Sequence, residues 1–529
     1  MKKKLVVAIA AISAASTWAM DGIDFSGENG RTSALQMNYL NLNDAQDYWG
    51  NPAHIVNLKD NAVFNVTAGG EGGGAIYTLF GQKVGLYFGR PSQSLANTID
   101  ANDFQQATDL VGGTGATGET VLNADNFDTP TNVLDAFWAM NAGFGDLGIR
   151  LNFQRNSEDT SGPTYVNTDP AVNNVADTTR TTDTVADNSV NKSFQEINLQ
   201  VGVVPNGLPF EGTLLVGLPS GSSTSSYEDT RAVVNLDGAG TVTDTTTDSV
   251  TAEQTVETDA LNLALVVKGD ILTRNTTTLR AAGYYSSTKY NATNTTTSAE
   301  RARVDANGDG NYVAVDGDTD STDNKNWTGE STNTAMSVGA IFTAESRPSS
   351  NTRVLASLGA IYVSGEYGVA ETRVNDSTTD NISGTTTGYP SGGGNLLGSQ
   401  DSNMTPYSMF MVPITLAFEA ATSEKTQLRA SVGGSLFNSE SESFDETFFI
   451  SPNANDGGAA DATTATNNVE DYVSNDPYGM TYYSSAVVGL GFSYKWSNQF
   501  TIDGHLAKQF FTNGFDSTFT STLSGIFTF

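Results

Sequence analysis

The chain has 529 residues, a formal net charge of -33 at pH 7 and no cysteine. Such acidity argues against nucleic acid as a partner, because the phosphate backbone would be repelled. In an exported chain the lack of cysteine also argues against a disulfide-stapled fold. The 53 glycines and abundant Thr, Asn, Asp and Ser disfavour helix and favour strands joined by polar loops.

The first 19 residues have the pattern of a secretory signal peptide. Three lysines, Lys2 to Lys4, precede an apolar run from Leu5 to Ala15, and Ala19 stands where cleavage is expected. The apolar run is too short to cross a bilayer as a helix. We therefore predict a signal peptide at 1–19 and a mature chain that begins near Met20.

Residues 20–60 form a lead-in to the first strand and contain an unusual turn, Asn51-Pro52-Ala53-His54, preceded by Trp49. Pro52 lacks a backbone donor and has a fixed φ, and Asn51 before it favours an extended or turn conformation. Such a segment cannot easily join a β-ladder.

From Asn61 onward the chain alternates apolar and polar residues with a period of two, the signature of β-strands. Leu261, Leu263, Leu265 and Val267 alternate with Asn262, Ala264, Val266 and Lys268, and the same pattern recurs at 147–154, 427–436 and 482–496. One face of each predicted strand is apolar, and the other is small or charged.

The connections alternate between short and long. Short turns are predicted at Gly81-Gln82, 144–146, 205–207, Gly269-Asp270, 346–350, 421–423 and Ser497-Asn498. Long acidic loops are predicted between them, at 91–132, 157–191, 220–255, 291–330, 365–404 and 439–480. This rhythm places all the long loops at one end of the sheet, as in outer-membrane barrels with short periplasmic turns and long extracellular loops.

The ends of the strands support the same interpretation. Predicted strands of roughly 9–15 residues match the span of a membrane barrel, and many carry Tyr, Trp or Phe near their ends. The terminal Phe529 on an alternating strand is similar to the sorting signal read by the barrel-assembly machinery. We predict an all-β, transmembrane antiparallel barrel of about 14–16 strands at 61–529.

The N-terminal pattern resembles that of the outer-membrane long-chain fatty-acid transporter (FadL-like) superfamily. The matching residues are Asp44, Ala45, Tyr48 and Asn51-Pro52-Ala53, followed by an apolar pair and a strand. The resemblance implies a fourteen-stranded barrel with a short plug, which moves hydrophobic compounds or serves in secretion without such a substrate. Here His54 stands where glycine is common in the family.

Two roles are open for the segment at 20–60: a plug or gate at the periplasmic mouth, or an ordinary lead-in beneath the barrel. The predicted plug residues are Trp49, Asn51, Pro52, Ala53 and His54.

A calcium-loop spacing occurs in DANGDGNYVAVD, where the predicted oxygen ligands are Asp305, Asn307, Asp309, Asn311 and Asp316. Gly310 permits the sharp bend that such loops need. Asp316 reaches less far than the usual Glu, and no helix-forming sequence flanks the loop. An acidic surface loop that matches by chance is the alternative.

Strand parity places six cations opposite the apolar stripe, facing the lumen: Arg150, Lys268, Arg280, Arg353, Arg429 and Lys495. Charges near the midplane of the lipid face would cost about 2–4 kcal/mol each. A basic wall would favour anions or carboxylate head groups. Pairing with interior acids such as Glu196 and Asp503 would instead give a salt-bridged filling.

With only two histidines, His54 and His505, and no GxSxG elbow, the sequence indicates neither a metal cluster nor a hydrolase. We therefore expect no enzyme and no required cofactor, with calcium limited to the loop above. The leading hypothesis is passive uptake of small hydrophobic or amphipathic molecules through the outer membrane of a Gram-negative bacterium. The alternatives are a general diffusion porin and a structural or surface-interaction barrel. Outer-membrane lipid is an expected partner, and homo-oligomerisation is left open.

Overall fold

The computed structural model describes residues 34–35, 37, 39–40, 47–67, 70–89, 132–161, 165–168, 179–236, 242–306, 318–381, 385–388, 400–442, 486–510 and 519–528. The predicted signal peptide lies outside these ranges. Among the described residues, no helix is long and apolar enough to cross a membrane.

Two short 3-10 helices, Asp47–Trp49 and Pro52–Asn57, precede the strands. Within the described part of the chain the strands are β1 Asn61–Thr67, β2 Gly70–Leu79, β3 Gln82–Phe88, β4 Asn132–Asn141, β5 Gly145–Ser161, β6 Tyr165–Thr168, β7 Thr179–Pro205, β8 Phe210–Leu236, β9 Val242–Arg274, β10 Thr277–Asp305, β11 Thr319–Ser349, β12 Thr352–Asp380, β13 Thr385–Gly388, β14 Gln400–Ala421, β15 Thr426–Glu442, β16 Ala486–Lys495, β17 Phe500–Phe510 and β18 Phe519–Thr528.

The strands form one closed, antiparallel barrel. Each long strand pairs with the next in the chain, β5 pairs with β7 and β12 with β14, and β18 pairs back with β1. The four-residue strands β6 and β13 only extend the pairing of β7 and β12, so sixteen of the described strands make the wall. The predicted transmembrane antiparallel barrel is confirmed, and the count of sixteen is reached because β1 and β2 both belong to the wall.

The two ends of the barrel differ. Short connections such as Phe80-Gly81 between β2 and β3 and Asn275-Thr276 between β9 and β10 lie at one end, called the turn end below. The two-residue connection between β1 and β2 lies at the opposite end. Because Asn61 pairs with Thr528, the first strand begins and the last strand finishes at this same end. The opposite end is called the extended end.

The two faces of the wall are those predicted from the alternation. On β9, the side chains of Leu263 and Leu265 are 38% and 47% exposed, whereas those of Asn262 and Ala264 are almost fully buried. Outward-facing leucine, valine and phenylalanine recur on the other wall strands. An apolar exterior is what lipid requires of a barrel whose backbone groups are all paired between strands.

The predicted strand length of roughly 9–15 residues holds for β2, β4, β16, β17 and β18 but was too short for β7 to β12, and several predicted loops were wrong. Strands β7 to β12 have 27, 27, 33, 29, 31 and 29 residues, far beyond the roughly 9–11 that a tilted strand needs to cross a bilayer. Most of the stretch at 220–255 and much of those at 157–191, 291–330 and 365–404 is strand. These stretches are rich in Thr and Val, whose β-branched side chains favour strands, and neighbouring strands continue the ladder past the membrane.

The predicted turn at Gly269-Asp270 was also wrong. Strand β9 continues to Arg274, and the turn uses Asn275, whose φ of 54° is in the left-handed region that asparagine tolerates. Asp270 accepts a 2.8 Å hydrogen bond from Arg280 on the neighbouring strand. A polar residue with a cross-strand partner was thus mistaken for a turn residue.

We expect Leu265→Arg to destabilise the barrel in lipid by about 2–4 kcal/mol, because it places a charge near the centre of the apolar exterior. Leu272→Arg, on the same strand but next to the turn end, should cost only about 0–1 kcal/mol. Urea unfolding in phospholipid vesicles would measure both. Equal costs would contradict the placement of the bilayer.

Candidate functional site: an N-terminal segment across the lumen

The described residues between Ala34 and Leu58, called the N-terminal segment below, run across the interior of the barrel. At its start, the Ser431 hydroxyl of β15 donates a 2.7 Å hydrogen bond to the Ala34 carbonyl. Tyr39 and Leu40 then pack against β8 to β12, on Leu215, Ala264, Val266, Ala282, Tyr284, Ile341 and Ile361. Tyr48, Trp49 and Ile55 pack against β1 to β4, on Val63, Ile76, Tyr87, Phe137 and Ala139. The segment therefore contacts well-separated sides of the lumen.

The Asn51-Pro52-Ala53 turn begins the second 3-10 helix. Asn51 is extended, with φ -146° and ψ 103°, and its side-chain oxygen accepts a 3.1 Å hydrogen bond from the Ala53 amide. Pro52 stands at the first helical position, where its missing donor costs nothing. Asn51 and Ala53 are both fully buried.

A pair of glycines forms the seat for this turn. Gly148 of β5 and Gly202 of β7 lie directly opposite each other in the ladder, on the lumen face. A Cβ atom at Gly202 would collide with Asn51 Oδ1 and lie 2.9 Å from Pro52 Cδ, and one at Gly148 would collide with the Pro52–Ala53 peptide. The turn can approach the wall this closely only because both wall residues lack a side chain.

Two wall side chains hold the residues just before the turn. The Gln200 amide donates to the Trp49 and Gly50 carbonyls, at 3.1 and 2.8 Å. The Arg150 guanidinium lies 5.1 Å from the centre of the Trp49 ring, within the range of a cation–π interaction. Thus Trp49 and Arg150, predicted for different roles, lie against each other.

Lys268 of β9 joins the segment to the wall at a second place. Its ammonium donates to the Tyr39 carbonyl at 2.8 Å and to the Asp47 carboxylate at 3.2 Å, and lies 3.5 Å from Glu211 Oε1. The other Glu211 oxygen lies 2.7 Å from His54 Nε2. Lys268 and Glu211 of the wall therefore contact three residues of the segment: Tyr39, Asp47 and His54.

The Tyr39 hydroxyl donates a 2.7 Å hydrogen bond to Glu211. Burial, followed by the nearby Glu211 charge, raises the pKa of this hydroxyl well above its ordinary value. The hydroxyl therefore stays protonated and remains a donor.

Three more of the predicted lumen cations also meet carboxylates. Arg280 lies 2.8 Å from Asp270. Arg353 pairs with Glu345 and Arg429 with Asp503, and both arginines share Glu419, Arg429 at 3.0 Å. Gly491 of β16 lies between Arg429 and β17 in the ladder. Because glycine has no side chain, the Arg429 side chain can extend past it to Asp503.

Five of the six predicted cations are buried, each with a carboxylate oxygen within 3.2 Å: Arg150, Lys268, Arg280, Arg353 and Arg429. Lys495 has the same strand parity but is exposed at the last position of β16. Paired in this way, the cations present little net positive charge, so the geometry favours the salt-bridged filling over a basic wall.

Of the predicted calcium ligands, only Asp305 lies within the described residues, as the last residue of β10. Asn307, Asp309, Asn311 and Asp316 lie outside them. Over the described ranges, no group of three or more His, Asp or Glu side chains could hold a metal ion. Calcium at this loop stays a prediction.

Several residues of the site were missed by the sequence analysis, notably Gly148, Gly202, Gln200 and Glu211. The glycines did carry a signal, since both have lumen parity and stand at the same distance from the turn end of paired strands. Gln200 and Glu211 carried none, because their partners are far away in the chain.

We expect Lys268→Met to destabilise the protein by about 3–5 kcal/mol, because it leaves Asp47 and Glu211 buried with fewer partners. The matched variant Lys495→Met removes an exposed cation and should change stability by less than about 0.5 kcal/mol. Urea unfolding followed by tryptophan fluorescence would compare the two. Similar effects would contradict the anchoring role of Lys268.

No family model and no curated protein matches the sequence. Among solved structures, the chain is similar to the Pseudomonas putida toluene transporter TodX, with 10% identity and a TM-score of 0.33 over 96% of this chain and 98% of that one. It is also similar to the CymD monoaromatic hydrocarbon channel, with 9% identity and a TM-score of 0.32 over 96% and 99%. A Pseudomonas aeruginosa FadL homologue matches with 11% identity and a TM-score of 0.30 over 96% and 98%.

Proposed function

We propose that the protein is an outer-membrane channel for passive uptake of small hydrophobic or amphipathic molecules, gated by the N-terminal segment. The observation that carries the proposal is the seating of Asn51-Pro52-Ala53 on the Gly148–Gly202 pair inside a closed barrel. A lead-in lying beneath the barrel would need no such seat in the wall.

The segment distinguishes this proposal from a general diffusion porin. A porin conducts through a wide, water-filled lumen. Here Trp49 and Leu40 are almost fully buried against different parts of the wall, so the segment obstructs the lumen at the turn end. Flow through this barrel requires the segment to move.

The wall beneath the segment is apolar, which supports the proposal that the solute is apolar. Ala264, Val266, Ala282 and Ile341 face the lumen, although lumen-facing residues of a porin are usually polar. They are covered here by Tyr39 and Leu40, and movement of these two residues would offer the surface to a solute of similar character.

The orientation follows from the chain ends. Both ends of the barrel sequence lie at the turn end, which places this end in the periplasm if the protein follows the habit of bacterial barrels. Solute would then enter from the extended end, pass down the lumen and leave past the segment.

We expect Gly202→Val to raise conductance in planar bilayers, because its side chain would displace Asn51 and Pro52. Overpacking of this kind costs about 1–3 kcal/mol, which multiplies the ratio of displaced to seated segment by about 5 to 150. Gly283→Ala is the control, since its Cβ would meet nothing closer than 3.9 Å.

Deletion of residues 21–59 provides the limiting case and should conduct at least as well as Gly202→Val. If neither variant conducts, and loss of the gene leaves growth on lipidic carbon unchanged, the uptake proposal fails. If the wild type already conducts as well as the deletion, the proposed gating role of the segment fails and a diffusion porin is favoured.

A further inference from the structure

A row of polar side chains crosses part of the lumen wall above the N-terminal segment. Asp135, Asn152, Asn198 and Asn262, called the polar belt below, are connected in register across β4, β5, β7, β8 and β9, with Gly217 at the β8 position. All four are at most 5% exposed. None was singled out by the sequence analysis.

Side chains of the belt are ordered by bonds to one another. The Asn152 amide donates to Asp135 Oδ1 at 2.9 Å, and the Asn198 amide donates to Asn152 Oδ1 at 3.1 Å and to Glu196 at 2.7 Å. Gln154, one lumen-facing position higher, donates to Asn152 Oδ1 at 2.8 Å. The donors of this network are thus directed inward, toward acceptors of the network itself.

Three acceptor oxygens of the network are left over. Asp135 Oδ2, Gln154 Oε1 and Asn198 Oδ1 are buried and have no hydrogen-bond partner. A buried polar atom without a partner is costly, so such atoms call for an explanation. Three of them in one cluster indicate a place where donors are supplied from outside the chain.

Gly217 shapes this place. Its missing side chain leaves a niche between Asn198 and Asn262, and Asn198 Oδ1 is directed into it, where a Cβ at Gly217 would collide with that oxygen. An unpaired acceptor therefore occupies the one position of the row that has no side chain.

The belt lies on the route of uptake. Asn152 and Asn198 stand four residues from Gly148 and Gly202 toward the extended end, a rise of about 13 Å at 3.3 Å per residue. One lumen-facing position below Asn262, at Ala264, the apolar surface covered by Tyr39 and Leu40 begins. The buried polar acceptors and this apolar surface therefore adjoin on the same part of the lumen wall.

We propose that the polar belt binds the head group of the transported amphiphile, and that this head group is an uncharged hydrogen-bond donor such as a hydroxyl. This assignment rests on the proposed uptake function and narrows its substrate class. A hydroxyl donates to an unpaired acceptor, whereas a carboxylate carries acceptors only and a plain hydrocarbon has no donor. The belt therefore discriminates against fatty-acid carboxylates, opposite to the preference of a basic wall.

The test compares two ligands with equal carbon chains, 1-octanol and octanoate, by titration calorimetry on the full-length protein in amphipol. We expect 1-octanol to bind at least about 10-fold more tightly, because octanoate leaves the acceptors unpaired. This comparison uses the wild type and depends on no variant being able to fold.

Two variants locate the binding. Gly217→Ala would displace the Asn198 amide, and Asn198→Leu removes its acceptor oxygen. Each variant should weaken the binding of 1-octanol by about 5- to 10-fold and leave the binding of octanoate unchanged. Gly283→Ala, with free space around its Cβ, should match the wild type.

Equal binding of the two ligands, stronger binding of octanoate, no binding of either, or an unchanged 1-octanol affinity in both belt variants would each overturn the assignment. Such results leave the uptake proposal standing if Gly202→Val still conducts. Failure of the uptake proposal would instead appear as an absence of conductance in planar bilayers, whatever the calorimetry gives.

Discussion

Seven residue pairs between β1 and β18, from Asn61 with Thr528 to Thr67 with Thr522, close the sheet on itself. In lipid no water can satisfy an unpaired backbone group, so a sheet with free edges could not span the membrane. Closure also creates the enclosed interior. The buried ion pairs, the seat for the N-terminal segment and the polar belt all face that interior, and each would be open to lipid or water without the last strand pairing.

The polar residues of the interior differ between the turn end and the level of the polar belt. Near the turn end, buried arginines are matched with carboxylates on the neighbouring strand or, for Arg429 and Asp503, across one intervening strand. A buried matched pair is costly to break, although it adds little stability compared with an apolar replacement. These pairs keep the wall rigid where the segment docks. Higher up, the polar residues are matched less completely, and Asp135, Gln154 and Asn198 each keep a buried acceptor oxygen without a partner.

Alternation with a period of two was sufficient to predict the two faces of the wall, the antiparallel order and most of the short turns. The alternation did not predict the extended end, because a polar Thr-rich stretch has the composition of a loop and forms a strand only when a neighbouring strand pairs with it. The Asn51-Pro52-Ala53 turn was visible from local chemistry alone. Its seat was not, since Gly148 and Gly202 acquire meaning only when strand register places them side by side. Glu211, which faces Lys268 in the ladder, was hidden for the same reason, whereas Asp503, the partner of Arg429, was predicted as an interior acid.

The anchors of the N-terminal segment share a position that bears on assembly. Gly148, Gly202, Lys268 and Ser431 each lie within six residues of the turn end of their strands. The segment can therefore enter through the mouth at that end after the last strands have paired, and no ladder has to reopen. Docking is then a separate step with its own equilibrium, weaker than the barrel itself. When the barrel closes first and the N-terminal segment docks second, the segment can undock again without unfolding of the barrel.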